Sequence, residues 1–317
     1  PASRPLRHRA DAPAMRWRET IGRASLRFIG VAGVGTLIFL LIVAFSLKRV
    51  AYKDDSQRAT AAAGKGAFNS ARAFETLKKV VDLGPRPPGS PEAETLRQLI
   101  RGEVEAAGLE VRALPFEVDT PLGNKSMANL VAVVKGSEDG IIALSNHYDT
   151  KYFAEFRFVG ANDGGSTTAW MIEMARALGP TRDGRTVWLI WFDGEEAFKE
   201  WSSTDSLYSS REMVRHLRKT KEFANLDALI NVDMIGDCYL GIFRDAGATS
   251  WLSNAVWKAA AELGHGRHFL AESRIVEDDH MPFRLAGKPA MNLIDYEYGG
   301  SQIEHSNTWH TANDTIE

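Results

Sequence analysis

The 317-residue sequence predicts an α/β protein. The expected form is a three-layer α/β/α sandwich with a mostly parallel central sheet, preceded by one transmembrane helix. Three observations predict it. From residue 67 onward, strand-length apolar runs alternate with helix-period segments, the pattern of parallel strands covered by helices on both faces. The run "TVWLIWF", 186–192, is apolar almost throughout, as a strand buried on both faces must be. Residues 28–47, "FIGVAGVGTLIFLLIVAFSL", carry no charge at all. At roughly 1.5 Å rise per residue, about 20 such residues span a bilayer core of around 30 Å.

In chain order, residues 1–27 form a basic tail, with Arg4, Arg7, Arg9, Arg16, Arg18, Arg23 and Arg27 against Asp11 and Glu19. Beyond the apolar segment, Lys48, Arg49 and Lys53 are diluted by Asp54 and Asp55. The heavier cationic flank predicts a single-pass protein of the inner or plasma membrane, with a cytoplasmic N-terminus and a periplasmic or extracytoplasmic body. A cleaved signal peptide has a shorter apolar region, about 7–15 residues, and a small-residue cleavage site. "FSLKRVAY" offers no such site, so 28–47 is expected to persist as a signal anchor. Residues 48–66 are polar and Ala-rich and read as a linker. An opening on Pro1 reads as a fragment, or as a translated frame starting at Met15.

Residues 67–317 form the remaining domain. A helix over 68–83 aligns Phe74, Leu77, Val80 and Val81 on one face. "GPRPPGSP" is a rigid irregular loop. It leads into a helix over 90–108 with Ser90 as N-cap, Pro91 first and Gly108 as the stop. Strands follow at 110–117, 128–134 and 140–146, then a helix at 165–178 and the strand at 186–192. A helix near 204–219, the apolar stretch 226–236, a helix at 249–263, the short helical "MPFRLAG" and the strand "PAMNLI" complete the domain.

Net charge of −3 gives no hint of nucleic acid, and a single cysteine, Cys238, excludes an internal disulfide and any zinc site built on several thiolates. A metal would need His, Asp and Glu. Those residues fall at strand ends: His147 and Asp149 after "IIALSN", Glu195 and Glu196 after "WLIWFDG", Asp233 after "ALINV". Loops add Asp163, the run Asp278–Asp279–His280, and Trp309–His310. In an open parallel sheet, ligands bind beyond the carboxyl ends of the strands. Singly, such an Asp is a helix cap or turn former, His280 a structural histidine, and the glutamates a helix start. Together, with no Lys or Arg directly beside the acids at 163, 195 and 196, they point to a divalent cation, and oxygen and imidazole donors suit catalytic zinc. The adjacent glutamates would then divide their labour, Glu196 on the metal and Glu195 as general acid/base.

The segments "HYDTKYF", "FVGANDGGS", "FDGEEAFKEWSSTDSLYSSR", "VDMIG", "EDDHMPF" and "TWHTANDT" resemble, in order and spacing, the glutaminyl cyclases. These zinc-dependent enzymes share a fold with the co-catalytic zinc aminopeptidases of metallopeptidase family 28. The resemblance covers roughly 68–317 and is most specific over 186–211. It implies a zinc aminopeptidase-like fold and one zinc held by Asp163, Glu196 and His310. It also implies Glu195 as the acid/base, Asp233 and Asp278 as a supporting carboxylate pair, and Trp201 and Trp309 as pocket walls. The implied substrates are peptide or protein N-termini bearing glutamine, converted to pyroglutamate with release of ammonia. Ser209, Asn292 and Glu277 stand where the cyclases have Gly, often His and commonly Gln, and the glycine-rich loop 299–310 is longer than theirs. "GANDGGS" is nearer the aminopeptidases. That alternative stays open: His147, Asp163, Glu196, Asp233 and His310 also match a two-zinc aminopeptidase set, and a third reading is a decayed site on a membrane-tethered scaffold.

Overall fold

The computed structural model describes residues 66–237, 239–296 and 308–316. The basic tail, the apolar segment 28–47, the linker up to residue 65, Cys238 and the glycine-rich loop through residue 307 lie outside them. Among the described residues no helix is long and apolar enough to cross a membrane.

The first helix, α1 (Ser70–Asp82), is capped by Asn69, whose side chain accepts from the Arg72 backbone N–H. Helix α2 (Pro91–Ala106) has the expected start, with Ser90 Oγ accepting from Ala93 N at 3.1 Å and Pro91 at the first position. Strands β1 (Val111–Thr120) and β2 (Gly123–Val134) form an antiparallel hairpin longer than expected, because the polar stretch 123–127 pairs as backbone although its side chains carry little apolar pattern. Next come β3 (Glu138–His147), α3 (Thr167–Leu178), β4 (Arg185–Phe192), α4 (Tyr208–Lys219) and β5 (Leu226–Asp233). They are followed by β6 (Ile242–Asp245), α5 (Ser250–Glu262), β7 (Phe269–Arg274), α6 (His280–Leu285) and β8 (Ala290–Ile294).

The main sheet has the order β1-β2-β4-β3-β5-β8. β3, β4, β5 and β8 run parallel, and the β1–β2 hairpin joins antiparallel through β2. The sheet is therefore mixed at one edge and parallel at its centre. β6 and β7 pair separately, in parallel, a small sheet the sequence pattern did not indicate.

Side chains alternating along each strand enter two cores. Leu144, Leu189, Trp191, Ile230 and Val232 pack with Leu96 and Ile100 of α2, Trp170 and Met171 of α3 and Leu252 and Val256 of α5. Ala143, Trp188, Ile190 and Leu229 pack on the other face with Met213, Val214 and Leu217 of α4 and Phe283 of α6. Helices on both faces give the three expected layers. The register pairs His147 with Phe192 and Asp233 with Ile294, so these strand ends share one edge of the sheet.

Candidate metal centre and active site

The strand ends and two loops converge at that edge. Asp163 sits in a π-helical turn, Ala161–Ser166, that precedes α3 and kinks at Asp163 and Gly164. Gly164 has φ +73°, and a Cβ there would lie 2.6 Å from Asp149 O and 3.0 Å from His147 Cε1. Only glycine lets the turn come this close to the end of β3. His310 and Met234 carry positive φ, 54° and 49°. Non-glycine residues held there bear backbone strain, which concentrates at functional sites.

Asp163, Glu196 and His310 each bring one ligand atom to within 4.8 Å of the others, and His147, Asp163 and Asp233 do the same, sharing Asp163. His310 Nε2 lies 2.9 Å from Glu196 Oε1 and 3.3 Å from Asp163 Oδ2. His147 Nε2 lies 3.1 Å from Asp163 Oδ1 and 3.2 Å from Asp233 Oδ1. Asp163 Oδ2 is buried without a hydrogen-bond partner. A buried carboxylate oxygen facing an imidazole nitrogen and a second carboxylate, with no thiolate among the described residues, fits a divalent metal.

Burial and charge shape the titrations. Burial pushes the Glu195 carboxyl well above its ordinary value, and the charge of Glu196 adds to it. Burial likewise raises Asp233 to about 7, with His147 opposing, and raises Asp278. Burial alone would lower His310 and raise Asp163, but their mutual contacts, with Glu196 and His147, bring His310 up to about 9 and Asp163 below the usual carboxylate range. The facing carboxylates thus hold both His147 and His310 above the ordinary imidazole value.

Backbone and amide contacts position these groups, and no role for Asp149, Asp314 or Arg86 was legible in the sequence. Asp149 accepts from the backbone N–H of both Glu195 and Glu196, each at 3.2 Å, which fixes the acidic doublet. Asp314 accepts from Asn162 N at 2.7 Å and Asp163 N at 3.1 Å. Arg86, fully buried, donates to Tyr148 O, Val159 O and Gly160 O and so ties the end of β3 to the Asp163 turn. Asp278 accepts from Asn231 at 2.9 Å and from Asn292 at 2.6 Å, so Asn292 supplies a direct bond at the departure from the cyclase pattern. Lys151 lies 3.5 Å from Glu196 Oε2 and donates to Ala197 O, a cation beside the acids that chain order did not foretell. His280 is buried 2.8 Å from Asp245 Oδ2, away from both triads, as a structural histidine.

Glu195, Asp233 and Asp278 line a pocket of about 480 Å³ together with Asp163, Glu196, His310, Trp201 and Trp309. Trp309 stacks on the His310 ring, centroids 4.2 Å apart at 25°. Trp201, 40% exposed, stands at the mouth and not in a core.

Three comparisons show what the chain as a whole is similar to. The sequence pattern of peptidase family M28 matches residues 129–317. A glutaminyl-peptide cyclotransferase of Bos taurus is 30% identical over 268 residues, 73% of this chain and 72% of that protein. The crystal structure of an Acidobacteriales bacterium glutaminyl cyclase superposes with a TM-score of 0.74 at 36% identity, covering 84% of this chain and 91% of that one. A Porphyromonas gingivalis glutaminyl cyclase gives 0.70 at 28% identity, covering 78% and 90%.

Proposed function

Because the chain belongs to peptidase family M28, and within it groups with the glutaminyl-peptide cyclotransferases, we propose that it converts N-terminal glutamine of peptides and proteins to pyroglutamate in a zinc-dependent reaction. The observation that carries the reading is the Asp163–Glu196–His310 triad lining a pocket that also holds buried Glu195, Trp201 and Trp309. The zinc that these three side chains would hold supplies Lewis acidity toward the glutamine side-chain carbonyl.

Every other part of the reaction falls to the chain's own residues. The Glu195 carboxylate takes a proton from the substrate α-amine, whose nitrogen then attacks the side-chain amide carbon. The new C–N bond closes the five-membered lactam. As the original C–N bond breaks, Glu195 returns the proton to the departing nitrogen, which leaves as ammonia. One group accepts and then donates the same proton, so a carboxyl whose affinity for it is raised by burial suits the task. Asp233 and Asp278 complete the carboxylate cluster, with Asp278 oriented by two amides. Water is no reactant, and Trp201 and Trp309 narrow its access.

A second reading, an aminopeptidase that removes N-terminal residues with two metals, is favoured by the His147–Asp163–Asp233 triad alone. One assay separates the two. Zinc-loaded protein is incubated with a Gln-initiated and a Leu-initiated peptide, and masses are recorded. Loss of ammonia from the first with the second untouched is expected. Release of free leucine would replace the cyclase reading with the aminopeptidase.

A further inference from the structure

The pocket mouth carries a combination that the reaction itself does not use. Ile275, Val276 and Glu277, between β7 and α6, line the pocket beside Trp201 and Tyr296. Ile275 is 84% exposed, an apolar side chain standing at the entrance with no core to enter. Trp201 Nε1 donates to Glu277 Oε2 at 3.1 Å, which fixes that carboxylate against the edge of the indole. Its other oxygen takes no hydrogen bond among the described residues.

The register with the substrate follows from chain geometry. Glu277 directly precedes Asp278 and is exposed where Asp278 is buried, so the chain enters the pocket wall from the rim at this point. The second residue of a substrate is one Cα step out from the glutamine being cyclised. Its side chain therefore crosses the rim made by Trp201, Ile275 and Glu277. Lysine and arginine match such a rim: the aliphatic stem lies on apolar surface and the charged head reaches outward. The indole face favours a cation as well. Of the two lysines in the lining among the described residues, Lys151 is turned inward to Glu196 and the Ala197 carbonyl, which leaves Lys199 as the opposing charge.

We propose that Glu277, braced by Trp201, selects substrates whose residue after the N-terminal glutamine is lysine or arginine. The proposal rests on the cyclase reading. The test compares kcat/KM of the zinc-loaded full chain on Gln-Lys-Ala, Gln-Ala-Ala and Gln-Glu-Ala, for the wild type and for Glu277→Gln. The wild type is expected to favour the lysine over the glutamate peptide about 5-fold, the scale of a partly exposed charge pair. The preference should shrink with added salt and fall to near parity in Glu277→Gln. A lysine-to-glutamate ratio equal in both proteins overturns the role of Glu277 while leaving the cyclase intact. Failure to cyclise all three peptides overturns the cyclase reading and this proposal with it.

Discussion

At the scale of single residues, the adjacent glutamates test the division of labour. Glu196 lies 2.9 Å from His310 in the candidate metal triad, whereas Glu195 belongs to neither triad and lines the pocket. Glu195→Gln keeps size and polarity but removes the proton acceptor. It should lower kcat by about 10²–10⁴, the usual worth of a positioned acid/base, with zinc content unchanged. Loss of metal along with activity, measured by elemental analysis, would show that the roles are reversed. The candidate site residues were legible because each follows an apolar strand or sits in a short polar motif, and the resemblance suggested their roles. The roles of Asp149, already placed at a strand end, and of Asp314 and Arg86 were not: they act on backbone N–H and C=O groups whose positions exist only after the sheet edge has assembled.

Among the elements, the segment between β4 and α4 decides where Trp201 stands. Helix α4 begins at Tyr208, later than periodicity suggests, because Asp205 gathers the preceding chain into a loop. Its carboxylate accepts from Phe198 N, Lys199 N, Glu200 N and the Tyr208 hydroxyl at 2.7–3.0 Å. Burial pushes the Asp205 carboxyl up, but these four donors outweigh it and hold it below its ordinary value. A carboxyl depressed in the folded state stabilises above its unfolded pKa of about 3.9, and that stability is lost as pH falls through the lower folded value. Asp205→Asn points an amide donor at donors and should cost about 2 kcal/mol at neutral pH. In thermal melts the gap between variant and wild type should close below about pH 4. A gap that persists there would mean that the loop does not depend on the ionised carboxylate.

At the scale of the molecule, the layered sheet was legible because its strands are buried runs and its helices one-sided, the two periods that burial imposes. The β1–β2 hairpin and the β6–β7 pair were less so, since edge strands and short strands need only backbone pairing and carry a weak apolar signature. What the whole fold builds is an edge crowded with buried acid: Asp163, Glu195, Glu196, Asp233 and Asp278 are all nearly inaccessible. Without a cation this edge is balanced partly by His310, whose affinity for a proton is raised to about 9. A group raised in the folded state stabilises fully below its unfolded pKa of about 6.5, and that stability is lost as pH rises through about 9. Metal bound only to the folded chain adds stability by mass action, about 2.7 kcal/mol at 100 times Kd. For a domain of this size that corresponds to a shift in Tm of roughly 5–11 °C. Chelation should therefore lower Tm, zinc should restore it, and the difference should be wider at pH 9 than at pH 6.5, because metal and proton compete for the same nitrogen. Melting curves of loaded and chelated protein at the two pH values decide the matter: an unchanged Tm on chelation would mean that no structural cation balances the acids of the sheet edge.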